Sequence, residues 1–137
     1  MNDRFKFRVW DKKHNEYIPS NMISILLYFG YKDEFQIEFK CFSTFADSLI
    51  IEQCTGLSDK NGKLIYEGDI IHEVDKEADI DDVSQIVWSQ YTCHFMKLDL
   101  PDTKLDRHCL LCEADSPYIE ITGNIHKQAE QKIKKRK

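Results

Sequence analysis

A pair of cysteines, Cys109 and Cys112, is the residue pattern with the clearest capacity for chemistry in this chain. Thiolates at this spacing can chelate Zn²⁺, and a closed structural site needs four ligands. His108 precedes the pair, whereas Cys93 and His94 are neighbours that would point to opposite faces of one strand. No second CxxC or HxxxH pattern completes the set of four ligands. The sequence therefore favours cysteines that pack as small apolar side chains, or a thiol pair without a function, over a metal site.

Acidic side chains form the second candidate, in the run from Asp75 to Asp82 with five acids and one lysine. Catalytic carboxylates need converging geometry and tuned pKa values, which a solvated run does not supply. A calcium-binding loop would need a glycine and a distal glutamate that Asp79, Asp81 and Asp82 lack. The run is therefore predicted to be an exposed loop that repels nucleic acid or meets a basic partner.

The remaining reactive residue types show no arrangement that predicts catalysis. GxSxG, Walker-type and GxGxxG motifs do not occur, and the histidines lack the spacing of metal ligands. These histidines are His14, His72, His94, His108 and His126. We therefore expect a non-enzymatic protein with no catalytic residue, no metal ligand and no cofactor.

The composition predicts a globular protein. It argues against a surface that is basic all over and coats nucleic acid. The 137 residues suit one domain, and 42% of them are hydrophobic. Lysine and arginine number 19 against 24 aspartate and glutamate residues, which gives a formal net charge of −5. General coating of nucleic acid requires a net basic face, and this balance opposes it.

Cysteine usage and apolar runs bear on the compartment. Five cysteines at irregular spacing make a poor disulfide framework. The N-terminus carries no pattern of a signal peptide, and the longest apolar run, Met22 to Phe29, is too short to span a bilayer. We expect a protein of a reducing cytoplasm, with no membrane contact.

The elements that position these residues are organised around a glycine-punctuated stretch, residues 54–71. Asn61-Gly62 predicts a tight turn between an apolar strand ending near Leu57 and one running through Leu64 to Tyr66. Glu67-Gly68-Asp69 then predicts a second turn, in which the Asp69 carboxylate could accept a backbone N–H. A third strand follows, so the stretch predicts a small, tightly folded β-unit.

Alternating apolar residues predict further strands on both sides of this stretch. Tyr17-Ile18 is predicted to return as a short paired strand, and a hairpin is expected across residues 30–34. Two strands joined at Ser89-Gln90, or one bent strand, are expected next. The longer predicted strands are Phe5–Trp10, Met22–Phe29, Phe35–Lys40, Leu49–Cys54, Gln85–Trp88, Tyr91–Met96 and Tyr118–Thr122. For Met22–Phe29, periodicity also allows a short helix.

The C-terminal segment is strongly basic, with five lysine or arginine residues between Lys132 and Lys137. Residues 128–137 are predicted to be a frayed helix or tail of the single domain. Such a segment could contact nucleic acid or an acidic partner, but it lacks the interleaved aromatic residues of a strand-binding surface. A solubilising end is therefore the favoured interpretation.

Three motifs together resemble the YopX family of phage and prophage proteins. Phe5–Lys12 resembles the family's N-terminal signature, and Cys54–Ile71 resembles its central motif almost residue for residue. Ile119–His126 is similar to its closing motif, and the order and spacing of all three agree. Met22–Phe39 and Asp99–Tyr118 match no family motif.

The resemblance implies a mainly-β fold built on a small SH3-type barrel with additional strands and loops. It also implies phage or prophage origin and a host cytoplasm, but no activity, since the family has no established biochemical function. Physically, the motif residues suit barrel corners, where glycine supplies backbone freedom. The predicted structural residues are Gly56, Asp59, Asn61, Gly62, Tyr66, Gly68, Asp69, Gly123 and Asn124.

Two binding functions follow as expectations. The first is a non-catalytic phage accessory protein that binds another protein, or itself, through strand edges and loops. The alternative is a nucleic-acid-binding small barrel that uses the basic tail. An enzyme ranks last, because no reactive residues converge by spacing.

Overall fold

β-strands account for most of the residues that a computed structural model of the protein describes, namely 6–19, 23–26, 36–39, 48–100 and 108–127. Eleven strands occur in these ranges, with one 3₁₀ helix at Glu113–Tyr118. The prediction of a mainly-β fold is confirmed. The described part of the chain contains no helix long and apolar enough to cross a membrane.

The chain divides into two compact units, and residues 8–51 form the smaller one. Strand β1 (Phe7–Asp11) pairs with β2 (Glu16–Tyr17) in antiparallel register, with Trp10 opposite Tyr17. The two rings pack edge to face at 4.9 Å, and Trp10 is buried. Strands β3 (Ile23–Leu26) and β4 (Gln36–Phe39) form the predicted antiparallel pair.

Residues 1–7 and 52–137 form the larger unit. Strand β5 (Leu49–Ser58) pairs with β6 (Leu64–Tyr66), and Ser58 lies opposite Leu64. This confirms the predicted hairpin at Asn61-Gly62. The turn closes through hydrogen bonds from the Asp59 N–H to the Lys63 carbonyl and from the Gly62 N–H to the Asp59 carbonyl.

A five-stranded antiparallel sheet makes up most of the larger unit, in the order β10-β9-β8-β7-β11. Its strands are β7 (Asp69–Asp75), β8 (Ile80–Ser89), β9 (His94–Asp99), β10 (His108–Leu110) and β11 (Ile119–Asn124). The third strand of the central stretch, β7, therefore pairs with β8 and β11, not with β6. The stretch connects strands rather than forming one closed unit.

An aliphatic core holds the larger unit together. Alternation along the strands directs one face inward, and the buried side chains Ile65, Ile71, Ile86, Leu111 and Ile119 form one cluster. Leu57, Phe95 and Ile121 pack against it. Fully burying an aliphatic side chain of this size contributes roughly 1.5–3 kcal/mol, so this cluster is a major source of stability.

The loop in the acidic run Asp75 to Asp82 is shorter than predicted. Only the turn at residues 76–79 connects β7 to β8, and Asp81 and Asp82 lie within β8, opposite Val74 and Glu73. Both aspartates are exposed, so they enter the sheet with side chains in solvent. The paired part of the β7–β8 hairpin therefore includes residues that were predicted to be loop because of their charge.

Two predictions about the architecture stay predictions. One is the closure of an SH3-type barrel, which the sheet order and strand pairing do not establish. The other is the assignment of a single domain. A helical turn occupies residues 125–127, after which the described chain ends. The predicted basic tail, residues 128–137, and Phe5 lie outside the described residues.

Candidate functional site

Asp59 links the central turn to the last strand. One carboxylate oxygen accepts the N–H groups of Asn61 and Lys63 at 2.9 Å each, and the other accepts the Ile121 N–H at 3.1 Å. Burial acts to raise the pKa of Asp59, but these three hydrogen bonds outweigh it, so the pKa lies below its ordinary value. Asp59 therefore holds the central turn and the last strand together through backbone hydrogen bonds.

The second turn of the central stretch depends on Asp69. Its carboxylate accepts the Tyr66 N–H at 2.8 Å, which is the hydrogen bond predicted from the sequence. Gly68, between them in the turn, has a φ of +85°, where a side chain is strained. Its N–H donates to the Ile86 carbonyl, and its own carbonyl accepts the Ile125 N–H. This turn thereby joins β8 to the C-terminal end of β11.

A histidine–carboxylate pair lies directly against this turn. The Nε2 atom of His126 is 2.6 Å from Oε1 of Glu52, and both side chains are at least nine-tenths buried. A Cβ atom placed on Gly68 would lie only 2.8 Å from the same Glu52 oxygen. The absence of a side chain at position 68 therefore makes room for the buried carboxylate.

Glu67 is the second carboxylate of this region. Burial and the nearby charge of Glu52 raise its pKa above the ordinary value, although the backbone N–H groups of Trp88 and Gln53 stabilise the carboxylate. Shifts of this kind occur in structural networks as well as at functional sites. The buried Glu52–His126 pair and the neighbouring Glu67 together define the junction of β5, β8 and the β6–β7 turn as the candidate site.

Two aromatic side chains stand exposed next to this junction, at the end of the β8–β9 hairpin. Trp88 is 45% exposed and packs edge to face on Phe95 at 5.0 Å, while Tyr91 in the hairpin turn is 86% exposed. Beside them lies a mainly apolar pocket of about 260 Å³. Its lining residues are Val87, Trp88, Ser89, Gln90, Tyr91, Met96 and Leu98.

Lys97 forms a separate ionic network that fastens elements together. Its Nζ atom lies 2.8 Å from Glu73 on β7 and 3.1 Å from Asp115 in the 3₁₀ helix. Burial acts to lower the pKa of Lys97, but the hydrogen bonds and charges of the two acids outweigh it and raise the pKa. All three charges are largely buried and compensated, so the network is structural.

The cysteine and histidine candidates do not converge in the described part of the chain. Cys93, with a φ of +55°, and Cys109 are both exposed, and the four described cysteines are free thiols. His72 contacts the exposed Asp81 at 2.6 Å. Across the described ranges, no group of three or more histidine, cysteine, aspartate or glutamate side chains is placed to hold a metal ion.

The sequence-based site residues and the candidate site overlap only in part. Gly68 lies in the site, whereas Gly62, in the first turn, has a φ of +78° and open space around it. Asn124 caps the last helical turn by accepting the His126 and Lys127 N–H groups. The structural roles of Tyr66 and Gly56 stay predictions, and Gly123 has open space at its Cβ position.

Three important residues were not predicted: Glu52, Glu67 and Trp88. One signal was available for Glu52, because alternation places it on the same face of β5 as Ile50 and Cys54. A charged residue on an apolar face needs a partner inside the protein. Nothing in the sequence indicated that the partner would be His126, 74 residues away.

Comparison with solved structures shows the fold in two further proteins. Protein EF1440 from Enterococcus faecalis superposes with a TM-score of 0.60 at 25% identity, covering 92% of this chain and 96% of that one. Protein yopX from Bacillus subtilis superposes with a TM-score of 0.57 at 18% identity, covering 95% and 98%. At 18% identity, the similarity to yopX shows a shared fold and nothing more.

Comparison of sequences gives the family. Among curated proteins, no sequence matches the chain significantly. The family model described as YopX protein matches residues 6–131, which include all three motifs noted in the sequence except for Phe5. The chain therefore belongs to the YopX family.

Proposed function

We propose that this protein is a non-catalytic interaction module of a phage or prophage, and that its contact surface is the end of the β8–β9 hairpin. The observation that carries the proposal is the mainly apolar pocket whose lining residues include Trp88 and Tyr91, two exposed aromatic residues. Tryptophan and tyrosine are enriched at the energetic centres of protein interfaces, where they fill desolvated pockets.

The chemistry of the hairpin end suits a protein partner. Met96, on the floor of the pocket, is flexible and polarisable and adapts to different apolar side chains. Ser89 and Gln90 provide polar groups at the rim, as interfaces commonly have. An aliphatic or aromatic side chain of the partner would occupy the pocket, and Tyr91 would close over it.

The phage or prophage setting is supported by the family resemblance of the three motifs. The cytoplasm of the host follows as the expected compartment, since the described cysteines are free thiols and one of them, Cys54, is buried. The partner is accordingly sought in cells that carry the phage, and self-association is measured in parallel.

Substitution of Tyr91 by alanine tests the proposal. Tyr91 makes little contact with its own protein, so Tyr91→Ala should leave the fold intact and remove binding surface. Proteins captured from phage-carrying cells by the wild-type chain would be purified, and their affinity for each variant measured by calorimetry. We expect Tyr91→Ala to weaken binding about 10-fold or more, as for a residue at an interface centre.

Tyr118, which is 42% exposed and lies at the end of the 3₁₀ helix, provides the matched control. Tyr118→Ala removes the same side chain from a different place and should leave the affinity unchanged. Equal effects of the two substitutions, or a monomer that captures nothing, would contradict the proposal. Loss of capture after nuclease treatment would replace it with nucleic-acid binding.

A further inference from the structure

Strand β10 forms one edge of the five-stranded sheet. It is the last strand in the sheet order, and among the strands that the structure describes it pairs only with β9. Two of its side chains are in solvent: Cys109 is an exposed free thiol, and Leu110 is 51% exposed. This edge therefore presents a thiol and an aliphatic side chain to any strand that comes alongside.

The hydrogen bonds of β10 show which of its backbone groups face away from the sheet. The Leu111 N–H donates to the Phe95 carbonyl, which continues the register of β10 with β9. Hydrogen-bonded and non-hydrogen-bonded pairs alternate along an antiparallel ladder. Cys109 is therefore bonded to β9, whereas the N–H and carbonyl groups of His108 and Leu110 point outward. Outward backbone groups of this kind are a template for another strand.

The composition of β10 leaves this edge open to pairing. Exposed edges are commonly protected by charged side chains, proline, a bulge or a very short strand. β10 contains no lysine, arginine, acid or proline, and its pairing with β9 shows no shift in register. Its length of three residues is the protection that applies, so a partner strand has to match it closely.

We propose that β10 pairs with β10 of a second copy of this chain, antiparallel about a two-fold axis at Cys109. The outward backbone groups of Leu110 would exchange hydrogen bonds with those of His108 in the second copy, and symmetry forms the reverse pair. The two five-stranded sheets then continue into each other. This interface lies at the sheet edge, so it is additional to the contact surface at the hairpin end.

A second copy suits this edge because symmetry matches each group with its own counterpart. The Leu110 side chains of the two copies would lie diagonally across the pair, roughly 7–8 Å apart, where long side chains meet and leave water. Cys109 would lie opposite Cys109 in a non-hydrogen-bonded pair. Since β10 carries no acid, lysine or arginine, the pairing sets no such like charges against each other.

Oxidative cross-linking of the full chain tests this geometry. The Cα atoms of a non-hydrogen-bonded pair are about 4.5 Å apart, within the range of roughly 4.4–6.8 Å that a disulfide spans. Diamide oxidises two thiols to a disulfide and itself takes up their hydrogen atoms. We expect a covalent dimer on a non-reducing gel, with Cys109 linked to Cys109 in the peptide mass spectrum.

Cysteine variants provide the matched controls. Both are made in a Cys112→Ser background, so that the neighbouring thiol cannot compete for Cys109. Cys109→Ser should abolish the covalent dimer, whereas Cys93→Ser, at the other exposed cysteine, should leave its yield unchanged. Equal linkage through Cys93 and Cys109, or no linkage at Cys109, would overturn the inference.

Variants of Leu110, measured by analytical ultracentrifugation under reducing conditions, test the backbone pairing. Proline has no N–H, but the Leu110 N–H points away from β9, so the sheet keeps its own hydrogen bonds. Leu110→Pro should weaken self-association about 10-fold or more, and Leu110→Ala, which keeps the N–H, should weaken it less. If circular dichroism shows that Leu110→Pro is unfolded, Leu110→Lys replaces it with the same expectation. A monomeric wild-type chain would overturn the inference, as would full self-association of the folded variant.

The sheet edge and the hairpin end are tested separately. Tyr91→Ala should leave self-association unchanged, because Tyr91 lies in the β8–β9 turn. If Tyr91→Ala abolished self-association and Leu110→Pro did not, the copies would associate through the hairpin end and the inference would be wrong. If the chain were monomeric and Leu110→Pro lost a captured protein, the edge would pair with a different partner, which would also overturn it.

Discussion

At the scale of single residues, two glycines with the same backbone conformation have different surroundings. Gly62 and Gly68 both have a positive φ, near +80°, which costs a residue with a side chain roughly 1–2 kcal/mol. Open space surrounds Gly62, whereas the buried Glu52 carboxylate lies against Gly68. Only at Gly68 does the absence of a side chain also serve packing.

Alanine at each position separates these two effects. Gly62→Ala should reduce the free energy of unfolding by about 1 kcal/mol, from backbone strain alone. Gly68→Ala should cost at least about 1 kcal/mol more, because the new methyl group would displace Glu52 from its hydrogen bond with His126. Urea denaturation followed by circular dichroism measures both, and equal losses would contradict the packing argument.

Glu67 should reduce stability at neutral pH. A group whose pKa is raised in the folded state contributes stability below its unfolded pKa and loses that contribution as the pH rises through the folded pKa. Glu67→Gln, which resembles the protonated acid, should therefore raise the urea midpoint at pH 7 and change it less at pH 4. Glu77→Gln is the control, and a lower midpoint for Glu67→Gln at pH 7 would contradict the expectation.

At the scale of elements, a buried ionic network fastens three pieces of the larger unit. Lys97 on β9 contacts Glu73 on β7 across the intervening β8, and Asp115 in the 3₁₀ helix. Asp115 also accepts the Cys112 N–H at the start of that helix. The network thereby sets where the segment between β10 and β11 lies.

Lys97→Met should be strongly destabilising. Lys97 is only 9% exposed, so its removal leaves two acids without their cation in a dry environment, at a cost of about 3 kcal/mol or more. Lys60→Met is the control, because Lys60 and Glu120 are each 45% exposed and such pairs contribute about 0–1 kcal/mol. Thermal and urea denaturation compare the two, and similar losses would show that Lys97 is not structurally important.

At the scale of the whole molecule, the described charges predict sensitivity to acid. Asp59 has a lowered pKa because its backbone hydrogen bonds outweigh the opposing effect of burial. Asp11 has a lowered pKa chiefly because of its hydrogen bond with His14. Carboxyls with lowered pKa values contribute stability above their unfolded pKa, and this contribution is lost as the pH falls toward the folded value.

Stability should therefore fall as the pH drops below about 4, the ordinary pKa of aspartate. Asp59→Asn should lower the free energy of unfolding at pH 7 by about 2 kcal/mol and flatten this acid dependence. Urea midpoints measured from pH 7 to pH 2.5 test both statements. An acid dependence that is unchanged in Asp59→Asn would show that other groups determine it.

Local turn chemistry was predictable because it depends on neighbouring residues. Asn61-Gly62 and the Asp69 hydrogen bond follow from backbone preferences that act over a few residues, and both occur as expected. The family follows as well, since its central motif is long and continuous. The pairing of β7 with β8 and β11 was not predictable, because alternation marks a strand but does not select its partner.

By itself, the sequence determined the mainly-β composition, the positions of the turns and membership of the YopX family, all of which depend on contiguous residues. Only the tertiary structure brought Glu52, Glu67 and His126 together beside Trp88. Burial and approach between segments far apart in the chain depend on how the strands pair. No local pattern encodes those distances, and for that reason the candidate site became visible only in the folded protein.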